Sequence, residues 1–263
     1  MKKYLRLYKQ FLHISFRNQM TYRTNFFLAI LVEFFWVCSH LLYILAIWRV
    51  GIVFPGLEKE TALVFVGTYL CLTGGLMGIL FNNLSIMPNN IHTGQMDLYL
   101  TKPVSAQFMT SLQHVDFGYP ISDLSVGLIL LIVGWHIAGL PLSFMTIFGF
   151  IFYFAMSLIW MYCFQMIPVL LSFIFVKTGG IFEVFYGLHD LNKVPMGIYG
   201  KGLRFFGTFI LPVFPMANFP PMWAAGTLTT GQAIFGIAGP VVFFILIRIC
   251  WKLVLRKYTS ANG

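Results

Sequence analysis

The chain has 263 residues, of which 59% are hydrophobic and only 10% charged, with a formal net charge of +9. A soluble globular protein carries roughly 25% charged residues. The 29 Phe, 13 Met and 6 Trp are more apolar bulk than one core of this length hides, so composition excludes an ordinary soluble domain and points to residues kept in lipid.

The placement of the positive charge speaks against a nucleic-acid surface. Lys2, Lys3, Arg6, Lys9, Arg17 and Arg23 crowd the N-terminal segment, and Arg248, Lys252, Arg256 and Lys257 sit at the other end. Basic flanks around apolar spans hold a multi-pass chain by its cytoplasmic side.

Residues 1–23 place Leu7, Phe11 and Ile14 at helical spacing among Lys and Arg. This predicts an amphipathic helix lying in the inner membrane interface; the competing reading is a hydrated extension of the first span. The first span runs from about Asn25 to Trp48, since some 20 residues cross a hydrocarbon core of roughly 30 Å. Glu33 lies inside it and must face protein or a polar cavity, or be protonated. Arg49 to Thr61 is an outer loop. The second span, Ala62 to Ile86, contains Gly67, Gly74, Gly75 and Gly78, which allow close helix contacts.

The stretch "HTGQMDLYLTKPVS", His92 to Ser105, then falls on the cytoplasmic side by alternation. A third span follows from about Phe117 to Trp135. Asp116 and Asp123 share a face of it if the helix begins before Asp116. His136 to Pro141 is a tight outer turn. The fourth span begins near Leu142, and the apolar run to Val176 is too long for one ordinary helix, so Pro168 is expected to kink or end it.

From Lys177 to Pro221 two layouts survive. In one, the fifth span uses about 165–188 and the chain dips back from the outer face after Pro195. In the other, the fourth helix is long and the fifth crosses near 205–225. Broken helices at membrane depth are tolerated only where protein or a cavity covers them. The last span is about Gln232 to Leu253. The fold class is therefore an all-α integral membrane protein of six transmembrane helices with both termini inside. It divides into a leader (1–23), a membrane body (24–255) and a tail (256–263). The leader and the long apolar run after Asn25 do not have the form of a cleavable signal.

No catalytic constellation stands up. The phosphate loop GxxxxGK[ST] and the motif HExxH are missing, and the six His are too dispersed to suggest a metal cluster. Cys38, Cys71, Cys163 and Cys250 form no CxxC pair and read as buried free thiols. Glu33, Asp123 and Glu183 are the acids placed to line a polar path. Energy for transport then comes either from ion flow through paired charges or from a separate ATPase. Paired intramembrane charges are few and the two halves show no clear repeat, which leans toward an external motor.

Three stretches carry a family resemblance. Gly94, Met96, Asp97, Leu100, Lys102 and Pro103 follow the second span in a characteristic order. "VPMGIYGKGLRFFGTFILPVFPMANFP" (Val194 to Pro220) precedes the last span, and "WKLVLRKYTSA" (Trp251 to Ala261) closes the chain. In these the sequence resembles a permease subunit of the ABC-2 type, in particular the six-span bacterial branch formerly classed as a domain of unknown function. It departs from the family at Gly200, near which the family often has Pro.

The resemblance implies a plasma-membrane exporter in which a short helix between spans two and three docks on a nucleotide-binding ATPase subunit. Gly94, Asp97, Leu100, Lys102 and Pro103 would form that coupling site, braced by the leader and by Arg256 to Tyr258. It implies no cofactor in this chain, ATP and Mg on the ATPase, and a second permease chain, related or identical, as the other half of the path. Membrane lipid is the remaining partner. A secondary transporter or channel independent of ATP, and a scaffold that moves nothing, are the competing classes. Flux by the chain alone under an ion gradient distinguishes the first, and partner binding without flux the second.

Overall fold

The computed structural model describes residues 2–50, 59–175 and 179–258. Most of the expected outer loop, together with Lys177 and the tail beyond Tyr258, lies outside the described residues. Those described form helices and turns with no strand among them. The leader is α1 (Lys2–Thr21), and α2 (Arg23–Val50) follows almost directly.

The second apolar stretch is α3 (Ala62–Gly75), which continues through a π-helical segment (Leu76–Phe81) into α4 (Asn82–Ser85) and α5 (Met87–His92). Two short helices, α6 (Met96–Leu100) and α7 (Ala106–Leu112), make the connector to α8 (Gly118–Ile137). The long α9 (Phe144–Leu171) is followed by α10 (Gly179–His189), α11 (Lys201–Phe205) with a π-helical continuation to Ile210, α12 (Phe214–Ala224) and α13 (Thr230–Lys257).

Among the described residues five helices, not six, are long and apolar enough to cross a membrane: those at Arg23–Leu42, Ala62–His92, Gly118–Ile137, Phe144–Leu171 and Thr230–Lys257. The stretch expected to supply the sixth is cut into short helices. Pro195, Pro212, Pro215, Pro220 and Pro221 each remove a backbone donor there. Pro168, by contrast, does not stop α9. It lies inside the helix, which runs three residues further before the Ser172 N–H closes it onto the carbonyls of Pro168 and Val169.

The Ala62–His92 rod is mostly buried, whereas α2 and α13 turn most of their surface outward. The rod is therefore the hub. Its apolar core includes Phe65, Tyr69, Leu72 and Leu76 packed with Trp160, Met161 and Phe164 of α9 and Trp251 of α13. The outer faces present Phe27, Leu31 and Phe35 of α2, Ile129 and Ile132 of α8, Phe144 and Phe148 of α9 and Ile245 and Ile249 of α13. An apolar belt of this extent is what a bilayer solvates and water does not.

Helices α3 and α8 touch backbone to backbone. A Cβ on Gly67 would lie 2.7 Å from the Gly127 carbonyl oxygen, one on Gly127 2.7 Å from Cys71 Sγ, one on Gly134 2.7 Å from Leu63 Cβ, and one on Gly74 2.8 Å from Asp123 Cβ. Small residues thus let the two axes approach, and dispersion between closely packed backbones replaces the hydrophobic drive that lipid does not supply. Gly75 sits off this seam, toward Leu158.

Helix α12 is wedged into the bundle. Gly149 of α9 leaves room for the Trp223 indole, and Gly236 of α13 for Phe219. Asn218 accepts from the Met196 N–H and donates to the Phe214 carbonyl, both at 2.9 Å. One backbone donor of the broken stretch before α12 is thereby satisfied from inside the protein. The cysteines are free; Cys71 and Cys163 are buried as expected and Cys38 is half-buried, but Cys250 faces outward from α13.

Candidate functional site: the connector and an intramembrane polar cavity

The connector begins with a reversal at Gly94, whose φ of 74° is left-handed. Only glycine adopts this without strain. The turn is closed by the Gly94 N–H donating to the Ile91 carbonyl, and α6 starts with the Asp97 N–H donating to the Gly94 carbonyl at 3.1 Å. In α6 the residues divide. Met96 is fully buried in the main core, while Leu98 is 65% and Leu100 42% exposed. Lys102 is exposed beyond them, its ammonium 5.7 Å from the Tyr99 ring centroid. Asp97 faces the Tyr258 hydroxyl at the end of α13, and burial together with the Asp97 charge holds that phenol above its ordinary value.

The second half of the connector is fastened from three sides. From α1, Lys3 donates to the Pro103 carbonyl at 2.7 Å, the Tyr4 hydroxyl accepts from the Ser105 N–H at 3.3 Å, and the Tyr4 and Phe108 rings meet edge to face. Ser105 caps α7 by accepting from the Phe108 N–H. From the bundle, buried Gln107 donates to the Tyr162 hydroxyl of α9 at 2.8 Å and accepts from the Arg248 guanidinium of α13 at 2.5 Å.

The link 113–117 is held as tightly. Asn83 donates to the His114 carbonyl at 2.6 Å and accepts from its N–H at 2.9 Å. Gln19 of α1 donates to the Val115 carbonyl and accepts from the Phe117 N–H, and Ser15 accepts from the Val115 N–H. Every one of these groups is a backbone donor or acceptor that would otherwise be stranded.

Of the brace that the resemblance implied, the leader reaches the connector through Lys3 and Tyr4, and the closing run does so through Tyr258, which faces Asp97. The pairing of Asp116 with Asp123 on one helix face does not form, because α8 begins only at Gly118. Asp116 instead accepts from the Gly118 N–H at 2.8 Å and donates its own N–H to the Gly78 carbonyl at 2.7 Å. Gln107, Tyr162, Arg248, Ser15 and Gln19 escaped the sequence reading. Arg248 was visible only as one of several basic flanks, and the polar residues of α1 only as the wet side of an amphipathic helix.

A second polar region lies inside the bundle. Glu33 of α2 is 8% exposed and faces Asp123 of α8, which is fully buried against Gly74. Among the described residues no amide, hydroxyl or backbone N–H donates to either Asp123 oxygen. Glu33 borders a cavity of about 250 Å³ shared with α3 and α10. Its other walls include Trp36, Tyr69, Thr73, Tyr119, Tyr186, His189 and Asp190. Glu183 is exposed on α10 and is not brought to this group. Among the described residues no cluster of three or more His, Cys, Asp or Glu is arranged to hold a metal.

A family model described as ABC-2 family transporter protein matches residues 34–262. That interval takes in the hub helix, the connector, the broken segment and α13. Comparison with curated proteins and with solved structures gives no match.

Proposed function

The chain belongs to the ABC-2 transporter family, and from that premise we propose that it forms half of the translocation path of an ATP-driven exporter. It is a multi-pass transport permease; the finer reading concerns how it is driven. A separate nucleotide-binding ATPase, holding ATP and Mg, docks on α6 and moves it. A second permease chain, identical or related, supplies the other half of the path. The seat is a bacterial plasma membrane with both termini cytoplasmic, α1 lies in the inner interface against lipid, and the basic ends favour this orientation.

The observation that carries the reading is the division of labour in the connector. Met96 is sunk in the core, Leu98, Leu100 and Lys102 are turned outward, and the backbone behind them is tied to α1, α9 and α13. A loop that merely joined two spans would not be fixed to three other helices. A lever that receives force needs an outward contact face and a rigid attachment to what it moves.

The sixth crossing, on this reading, is assembled from α10 and the turns after it, and 201–224 dips back from the outer face as a helical hairpin. Its support is that α12 is enclosed by α3, α9 and α13, while α10 and α11 turn Val184, Leu203 and Phe205 outward, as segments beside lipid would. Glu33 and Asp123 border the route.

The deciding experiment is reconstitution of the chain with an ATPase and a second permease from the same bacterium, followed by flux measurements in vesicles. The reading expects uptake into inverted vesicles only with hydrolysable ATP. Undiminished flux by the chain alone under an ion gradient would transfer it to the secondary transporters.

A further inference from the structure

We infer that the cavity beside Glu33 is a binding site for a small organic ammonium ion that carries a hydrogen-bond donor. The site stands on its own walls, whether or not ATP drives the chain. Three independent features of the cavity converge on this class of ligand.

The first is charge. Glu33 borders the cavity, with the Asp123 carboxyl directly behind it. Two acids held together away from water share a proton rather than both ionise, and the one negative charge that remains favours a cation placed beside them. Lys193, beside the cavity wall, is already engaged. The Lys193 ammonium is bound to Asp190 at 2.7 Å and lies 5.9 Å from the Trp36 ring centroid. Asp190 is thereby neutralised, and the single negative charge of the α2 and α8 acid pair stays without a basic side chain bound to it among the described residues.

The second is the walls. Half of the ten lining residues are aromatic, among them Tyr69, Tyr119 and Tyr186. Aromatic faces attract organic cations through the ring quadrupole, and they do so best where water is scarce. A divalent ion such as Ca or Mg is held mainly by clustered carboxylates, and among the described residues no group of three or more His, Cys, Asp or Glu is arranged to hold one.

The third is His189. It is 2% exposed, it lines the cavity, and neither ring nitrogen has a hydrogen-bond partner among the described residues. Its ring is held by stacking on Tyr69, with centroids 6.4 Å apart. A neutral imidazole presents one lone pair and one N–H. A ligand N–H or O–H that reaches the lone pair satisfies a group the protein leaves unmatched. The volume of about 250 Å³ is below the roughly 300–1,000 Å³ of drug-sized pockets, which limits the ligand to a small amine.

The test is calorimetric titration of the purified full-length chain with choline and with 3,3-dimethyl-1-butanol, its uncharged analogue of the same shape and hydroxyl. Choline is expected to bind at least tenfold more tightly. Glu33→Gln is expected to weaken choline at least fivefold and leave the alcohol unchanged, and His189→Phe to weaken both. The primary comparison uses the wild-type chain, so no variant has to fold for it to count. Equal affinity for the two probes, or no binding of either, overturns the proposal. The assay contains neither ATP nor a second chain: ATP-driven flux without choline binding sinks only this site, and choline binding without ATP-driven flux sinks only the exporter reading.

Discussion

The Arg248 guanidinium of α13 donates to the Gln107 side-chain oxygen across 2.5 Å, joining the last helix to the connector between residues 141 positions apart. Gln107 passes the contact on to Tyr162 of α9, so one amide fixes α7 to two of the bundle's long helices. Charge-assisted bonds of this kind contribute about 1.5–3 kcal/mol each. Gln107→Leu removes acceptor and donor together and leaves a half-buried guanidinium unmatched. The expected loss is about 2–3 kcal/mol of unfolding free energy, measured by denaturant titration of the purified chain. Gln107→Glu keeps an acceptor for Arg248 and should lose less. Equal stability of the Leu variant and wild type would mean that the network does not hold α7.

The seam between α3 and α8 gives a sharper steric prediction. Gly127→Val places a branched side chain where a single Cβ already comes within 2.7 Å of Cys71 Sγ and 3.0 Å of the Gly67 carbonyl oxygen. The helices must separate, at a cost of about 1–3 kcal/mol or more. Gly231→Ala is the matched control, since nothing lies within 4 Å of its added carbon. Thermal aggregation of the two variants in one detergent should show a lowered midpoint for Gly127→Val and little change for Gly231→Ala. A Gly127→Val midpoint equal to wild type would show that the seam is looser than the geometry makes it.

Tyr258 predicts a pH dependence. Burial, and then the facing Asp97 charge, raise its phenol above the ordinary value of 10.0. A raised value in the folded state means that the proton is held more tightly there than in the unfolded chain. The attachment of the tail to α6 is therefore complete below about pH 10 and is lost as pH climbs through the folded value. Absorbance titration at 295 nm (roughly the phenolate band), taken as wild type minus Tyr258→Phe, should show one phenol ionising above pH 10. An inflection at or below 10 would place the hydroxyl in water, away from Asp97.

Much of this molecule is legible in its sequence, and the failures have physical causes. The five long helices follow from runs of apolar residues long enough to span lipid, and Gly67, Gly74 and Gly78 announce a close crossing. The broken region is readable as broken from its prolines, but not as to which pieces pack where. Asn218 is the clasp there, and a lone Asn among apolar residues has no periodic signature. Asp116 misled because residue spacing implies a shared face only within one helix, and the backbone bond from Asp116 to Gly78 ends the link just before α8 begins. Glu33 and Asp123 were each identifiable as costly acids in an apolar run. That they face one another depends on how α2 and α8 rotate about their axes, which packing sets.

The connector itself supplies the most direct test of how the permease is driven. The sequence grouped Gly94, Asp97, Leu100, Lys102 and Pro103 as one coupling surface, and the structure distributes them over different tasks. Gly94 makes the turn, Asp97 meets Tyr258, and the Pro103 carbonyl is held by Lys3. The outward face is Leu98, Leu100 and Lys102. Leu98→Ala combined with Lys102→Glu should therefore weaken co-purification with the ATPase at least tenfold, while membrane insertion and thermal stability of the chain stay at wild-type values. Met96→Ala should behave in the opposite way. It empties a fully buried site and costs about 2–5 kcal/mol of stability, with docking affected only through loss of folded chain. Glu at Lys102 reverses a charge on the contact face, so a surface that truly meets the ATPase must respond to it. If the Leu98 and Lys102 double variant still assembles with the ATPase and supports full ATP-dependent flux, the drive enters the permease somewhere other than α6.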